Sequence, residues 1–158
     1  MPPQTEHRPE GPVNPSSVPT SYEGRRVDDV AHEVLTEIRG LRDRVRFVSG
    51  SLVSRADGLL IAHDTHGVQP EGMAALSATT LGLSERVAIE AGHGRFQEAL
   101  VRGAYGYVVT YAAGVYAVLT VLATAETNLG RLHLEARALA DRVGSLVDAA
   151  EGAAGGWR

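Results

Sequence analysis

The residues with the greatest potential for chemistry lie between Ser51 and His66, where hydroxyl, carboxylate and imidazole side chains occur close together. His63, Asp64 and His66 are the metal candidates, because two imidazoles and a carboxylate can hold zinc or iron when the backbone turns suitably. Their spacing matches none of the specific ligand patterns, and a strand that runs into a polar loop produces the same letters. The pattern therefore does not favour a metal site.

Nucleophilic and acid-base chemistry find little more support in this stretch. Ser49, Ser51 and Ser54 lack a glycine elbow, and no partner histidine can be assigned to them. Asp57 would need a pocket that raises its pKa to act as a general base. The Asp57-Gly58 pair instead supplies the positive φ of a tight hairpin, so both residues are predicted to form a structural turn. The chain is predicted not to be an enzyme.

Composition excludes several further classes of function. The 158 residues carry a formal net charge of -4, which gives nucleic acid no global electrostatic attraction. The chain contains no lysine, so it lacks the phosphate-binding loop of a P-loop NTPase. It contains no cysteine, so disulfides and thiolate metal sites are excluded. No cofactor is predicted.

The chain length fits one domain with a tail at each end. Residues 1–24 hold six of the seven prolines and few large apolar groups, which predicts a disordered Pro-rich tail. Residues 25–150 are predicted to form the domain, including an N-terminal helix, and residues 151–158 a flexible C-terminal tail. The N-terminus has no apolar region of the kind found in secretory signals, and a cytoplasmic location is predicted.

The uncharged segment Gly103–Ala125 is long enough to span a bilayer as a helix. Its many Val, Thr and Tyr residues favour strands, and Gly114 separates two runs of strand length. Two buried strands joined by a tight turn explain the segment better, so no direct membrane insertion is expected.

Apolar periodicity along the rest of the chain predicts an α+β fold in the order α-ββ-α-βββ-α. Short connections within the strand groups indicate antiparallel pairing. The predicted elements are a helix from Val27, strands 51–55 and 59–63, a helix 71–91, strands 96–102, 105–112 and 115–123, and a helix 128–150.

The central predicted helix, residues 71–91, has two faces that would need cover. A small-residue face on this helix, together with the edge strand that follows it, predicts self-association across a two-fold axis. The predicted core stripe of the helix is Met73, Leu76, Thr80, Leu83 and Val87. The predicted dimer interface comprises Ala75, Ala78, Thr79, Gly82, Phe96 and Ala99.

Three stretches carry a resemblance to a known family: SLVSRADGLLIA, YGYVVTYAAGVYAVLTVLA and ETNLGRLHLEARALADRVGSLV. Together they resemble the roadblock/dynein-light-chain family over about Val48 to Val147, particularly the bacterial members encoded beside Ras-like GTPases in actinobacterial operons. The resemblance implies a five-stranded antiparallel sheet with helices packed on it in roadblock/profilin-like layers. It also implies homodimers that join two sheets.

The family resemblance implies a non-enzymatic dimeric regulator or scaffold that binds a Ras-like small GTPase and modulates its nucleotide cycle or localisation. Other proteins of the same operon are further candidate partners. Arg86, Arg95 and Arg102 are each either a finger supplied to a GTPase or an ordinary surface arginine. The alternative function is a small-molecule-sensing α+β module. In that alternative the pocket would be lined by Tyr105, Tyr107, Tyr111 and Tyr116.

The predicted hairpin turn can be tested by substitutions at two adjacent residues, Asp57 and Gly58. Gly58→Val forces a β-branched residue into positive φ and should lower the free energy of unfolding by about 1–3 kcal/mol. Asp57→Asn should change neither stability nor partner binding, because asparagine also suits the turn. Urea denaturation checks the first change. A well-folded Asp57→Asn protein without activity would favour the catalytic interpretation instead.

Overall fold

The computed structural model describes residues 21–154, so the predicted tail segments 1–20 and 155–158 lie outside the described residues. The element order is the predicted α-ββ-α-βββ-α. The helices and strands are α1 (Ser21–Arg44), β1 (Val48–Arg55), β2 (Leu60–Asp64), α2 (Pro70–Glu90), β3 (Glu98–Arg102), β4 (Gly106–Ala113), β5 (Ala117–Thr124) and α3 (Leu129–Ala154). Residues 21–24, assigned to the tail from sequence, belong to α1, and α3 continues past the predicted end at 150.

The five strands form one antiparallel sheet in the order β2-β1-β5-β4-β3, as predicted for the fold class. β5 lies at the centre and pairs with β1, with Leu52 opposite Thr120 and Arg55 opposite Ala117. β2 and β3 are the two edges. The uncharged segment Gly103–Ala125 forms β4, β5 and their turn. Within residues 21–154, no helix has both the length and the apolarity needed to cross a membrane.

One face of the sheet carries the main hydrophobic core, under α1 and α3. Alternate residues of β5 point to this face and pack against the apolar stripe of α3, whereas α1 covers β1 and β2. Leu119, Leu132 and Leu139 are fully buried here, and each contributes about 1.5–3 kcal/mol of hydrophobic stabilisation. Two ion pairs also join the helices: Arg44 Nε lies 3.1 Å from Glu135 Oε2, and Arg142 Nε lies 2.9 Å from Glu37 Oε2.

The opposite face of the sheet is covered by α2, which packs through small side chains. Ala74 and Ser77 are the buried residues of α2. The Thr120 hydroxyl donates to Ser77 Oγ at 2.7 Å, and the Ser77 hydroxyl donates to the Met73 carbonyl at 2.8 Å. These bonds satisfy buried hydroxyl groups and hold the helix close to the sheet.

The predicted core stripe of α2 is wrong for its larger members. Leu76, Leu83 and Val87 are 62%, 65% and 61% exposed. The reason is steric. Because α2 approaches the sheet through the small side chains of Ala74 and Ser77, the residues on the other sides of the helix, including these three, face solvent.

The last helix also packs closely against the turn between β4 and β5. Gly114 adopts φ 65° in this turn, and the Val115 amide donates to both Asp148 carboxylate oxygens at 3.0 Å. Gly144 lies against the same turn. A Cβ at residue 144 would lie 2.6 Å from the carbonyl carbon of Ala113, so α3 could not keep its position.

This packing predicts opposite effects for two glycine substitutions in α3. Gly144→Ala should lower the free energy of unfolding by about 1–3 kcal/mol, because the backbone must move to admit the methyl group. The control Gly152→Ala, with no atom within 4 Å of its new Cβ, should raise stability by up to about 1 kcal/mol. Thermal melts of both variants provide the measurement, and equal melting temperatures would contradict the close contact.

Candidate functional site

The Asp57-Gly58 pair forms a hairpin turn that is open to solvent. Gly58 has φ 94°, and Asp57 Oδ1 accepts a hydrogen bond from the Leu59 amide at 3.1 Å. The Asp57 side chain is 62% exposed and lies 3.5 Å from Arg55 Nε. The carboxylate faces solvent and contacts neighbouring residues of the turn. The arrangement stabilises a turn.

Two side chains of the histidine-rich segment, His63 and Asp64, contact nearby polar side chains. His63 Nδ1 lies 3.1 Å from Thr65 Oγ1, and Asp64 Oδ2 lies 3.2 Å from Arg42 Nε. His66 is exposed. Across residues 21–154, no three or more His, Asp or Glu side chains gather in a geometry suited to a metal ion.

The serines of β1 do not form a reactive site. Ser51 and Ser54 are buried, and the Ser51 hydroxyl donates to the Ile38 carbonyl at 3.5 Å. Ser49 is exposed at the start of the strand. The sheet encloses the two inner hydroxyls, so a substrate could not reach them.

The four tyrosines proposed for a ligand pocket are not brought together. Tyr105 precedes β4 and is 92% exposed, whereas Tyr116 follows β4 at its other end. Tyr111 is buried under α3, where its hydroxyl lies 2.8 Å from His133 Nδ1. The ends of one eight-residue strand are too far apart for these rings to share a small cavity.

The described surface has a more prominent feature, an exposed apolar strip along one side of α2. We call Leu76, Leu83 and Val87 the α2 flank. A cleft of about 440 Å³ separates this flank from β3 and is lined by Leu83, Val87 and Ala99, among others. β3 pairs with β4 on one side only, so its outer backbone groups are available. The cleft lies between the β3 edge and the Leu83–Val87 part of the α2 flank, so the flank and the edge together form one candidate interaction surface.

The residues predicted for the interface from sequence occupy different positions around this surface. Ala75, Thr79 and Gly82 are exposed on α2, and Ala99 is half-buried beside the cleft. A Cβ at Gly58 would lie 3.6 Å from the Ala78 Cβ, which places Ala78 against the hairpin. Phe96 is only 5% exposed and packs within the chain.

Sequence reasoning missed the α2 flank because it assigned the flank residues to the core. Apolar side chains lie around most of α2, so helical periodicity alone does not indicate which side faces the sheet. The informative signal is the small and polar character of Thr110 and Thr120 on the facing strands. Using that signal requires the strand register, which the sequence does not supply.

A charged cluster attaches the edge strand to α3. The Arg137 guanidinium donates to both Glu98 carboxylate oxygens, at 2.8 and 2.5 Å, and this pairing holds the pKa of Glu98 below its ordinary value. His133 Nδ1 lies 3.7 Å from Glu98 Oε1 and 2.8 Å from the Tyr111 hydroxyl. Burial raises the pKa of Tyr111, so this phenol stays protonated. We call these four side chains the Glu98 brace.

The sequence that forms the sheet and its helices matches the model of one domain family. Residues 35–123 match the Roadblock/LC7 domain. The chain belongs to this family. The resemblance to roadblock proteins seen in the sequence is thereby confirmed.

Two curated relatives of this chain come from Methanocaldococcus jannaschii. The uncharacterized protein MJ0310 is 33% identical over 97 residues, which are 61% of this chain and 84% of the relative. The uncharacterized protein MJ0714 is 30% identical over 118 residues, which are 74% of this chain and 96% of the relative.

Solved structures share the Roadblock/LC7 architecture. The Roadblock/LC7 domain from Streptomyces avermitilis aligns with a TM-score of 0.66 and 25% identity, covering 72% of this chain and 96% of that chain. Myxococcus xanthus MglB aligns with a TM-score of 0.68 and 18% identity, covering 74% and 96%. An MglB with a tetrameric arrangement aligns with a TM-score of 0.60 and 23% identity, covering 87% and 99%. The two MglB structures show the common fold.

The Glu98 brace predicts a pH dependence of stability. The folded pKa of Glu98 is depressed, so the stabilisation is present above the unfolded pKa of about 4.3 and is lost as pH falls through the folded value. Glu98→Gln should therefore lower the melting temperature at pH 7, and the difference from wild type should shrink below pH 4. Glu71→Gln, an exposed control on α2, should show no such convergence. A deficit for Glu98→Gln that stays constant at low pH would contradict the brace.

Proposed function

We propose that this chain is a non-enzymatic dimeric regulator or scaffold that binds a Ras-like small GTPase and modulates its nucleotide cycle or localisation. Membership of the Roadblock/LC7 family supports the proposal, since the resemblance to roadblock proteins implies GTPase binding. The observation that carries it is the exposed apolar surface formed by the α2 flank and the β3 edge.

The α2 flank supports self-association on energetic grounds. Its three large side chains are each more than half exposed, and contiguous apolar surface of this kind marks an interaction site. Burying this surface against a partner contributes about 25 cal/mol of favourable free energy per Å² of apolar area. Val101, 54% exposed on β3, extends the apolar surface on the same face of the sheet.

The β3 edge specifies how a second copy would fit. An unpaired strand can pair with its own copy across a two-fold axis, which joins two five-stranded sheets into one. The flank lies beside this edge, so the same rotation brings two α2 helices together. Ala75, Thr79 and Gly82 are small and exposed, so they would not obstruct a second copy that extends further around α2.

The dimer is the form in which the protein is proposed to contact its GTPase. Two α2 helices side by side present a broad surface that one copy alone does not have. Arg86 is exposed on α2, whereas Arg95 forms an ion pair with Glu85 at 3.7 Å. The proposal includes a cytoplasmic location, no cofactor, and other proteins of the same operon as further partners.

Self-association is tested with two leucines of equal exposure. Leu83 on α2 and Leu134 on α3 are both 65% exposed. Leu83→Asp should weaken the dimer at least about tenfold, since it places a charge in a buried apolar contact. Leu134→Asp should leave the dimer unchanged. Sedimentation velocity at several protein concentrations gives the measurement, and a monomeric wild-type protein would contradict the proposed interface.

GTPase regulation is tested by single-turnover GTP hydrolysis. A candidate Ras-like GTPase is assayed alone, with wild type, and with the Leu83→Asp and Leu134→Asp variants. Wild type and Leu134→Asp should bind the GTPase equally and have the same effect on turnover, and Leu83→Asp should lose both. The proposal fails if wild type neither forms a complex with the GTPase nor changes its hydrolysis rate.

A further inference from the structure

A second surface lies on the other side of the molecule, between α1 and α3. The two helices border an open groove of about 850 Å³ on the side of their layer that faces solvent. The Arg142–Glu37 ion pair crosses between the helices within this groove. The sheet separates the groove from the α2 flank, so the two surfaces can be occupied independently.

The floor of the groove is apolar, with two larger side chains and three alanines. Val30 of α1 and Leu146 of α3 are half-buried in it, and Ala149, Ala150 and Ala153 continue the floor along α3. Leu146, Ala150 and Ala153 are spaced about one helical turn apart, so they form a stripe parallel to the helix axis. Small side chains let another helix approach to the short end of the 8–10 Å interaxial range.

The rim of the groove is acidic. Asp29 and Glu33 of α1 and Asp141 of α3 line it, together with Glu37. Among the lining side chains that the structure describes, Arg142 is the one cation, and its Nε is engaged by Glu37 at 2.9 Å. Such a rim repels phosphate-rich surfaces, including nucleic acid and anionic membranes, and attracts Lys and Arg side chains.

We propose that this groove docks a basic amphipathic helix of a partner protein. The partner's apolar face would contact the alanine floor, and its Lys and Arg side chains would reach the carboxylates of the rim. The groove follows α3 from Asp141 to Ala153, a length of about 18 Å, which corresponds to a partner helix of about twelve residues. The occupant would extend the two-helix layer to three helices.

The test uses two synthetic 18-residue helical peptides as probes. One carries leucines on one face and lysines beside them, and the other has glutamate in place of every lysine. Fluorescence anisotropy should show binding of the lysine peptide that weakens with added salt, and no binding of the glutamate peptide. Equal binding of both peptides would overturn the proposal.

Charge-matched variants locate the binding site. Glu33→Lys with Asp141→Lys reverses the rim and should weaken lysine-peptide binding at least about tenfold. Asp43→Lys with Glu71→Lys makes the same change in net charge on exposed carboxylates outside the groove, and should weaken it less than about twofold. The same loss of affinity in both variants would show attraction by net charge alone and would overturn the proposal.

Hydrogen exchange on the wild-type protein gives a second measurement that needs no substitution. The lysine peptide should slow amide exchange in residues 29–37 and 141–153. Protection confined to α2 or β3 would overturn the groove assignment. A changed sedimentation coefficient for the rim variant with unchanged peptide affinity would assign the groove to a second copy of this chain and would also overturn it.

Discussion

The close packing of α2 on the sheet is the constraint on which the interaction surface depends. Ala74 and Ser77 bring the helix down onto β5, and the Thr120–Ser77 hydrogen bond fixes its height and rotation. A larger residue at either position would lift the helix and let its leucines turn inward. The small contact is therefore the reason that Leu83 and Val87 face solvent.

The two faces of the sheet have different roles: one holds the main hydrophobic core, and the other presents the candidate interaction surface. The α1/α3 face buries Leu119, Leu139 and many other apolar side chains, and provides most of the hydrophobic free energy. The α2 face has a thin core that includes Leu52 and Val118. Since the first face supplies the stability, the second can leave apolar area exposed for a partner. The Glu98 brace connects these roles, because it fixes the edge strand to a helix of the stable face.

The sequence was sufficient to predict the order of elements, since that order depends on local periodicity and turn chemistry. The Asp57-Gly58 turn and the split at Gly114 are local signals of this kind. The orientation of α2 was not predictable, because it depends on which residues of β5 lie beneath it. Phe47 shows the same limit in the backbone: its φ of 69° is rare for a bulky residue, and its carbonyl accepts a bond from the distant Thr124 amide. For the candidate site, the sequence analysis pointed to α2 and the edge strand β3, which border the cleft. The exposed flank and the contacts of Ala78 and Phe96 required the three-dimensional packing.

The position of β5 at the centre of the sheet affects how the chain folds during its synthesis. β1 is completed at Arg55, but the strand that pairs with its inner edge begins at Ala117, about sixty residues later on a ribosome adding roughly 5–20 residues per second. The β1–β2 hairpin therefore emerges several seconds before its central neighbour, and the edge of β1 that will pair with β5 stays open during that time. The apolar stripe of α1 can pack against β1 and β2 early, but its contacts with α3 form only after residues 129–154 have been made. Closure of the sheet centre is a late, non-local step, and contacts of this kind slow folding.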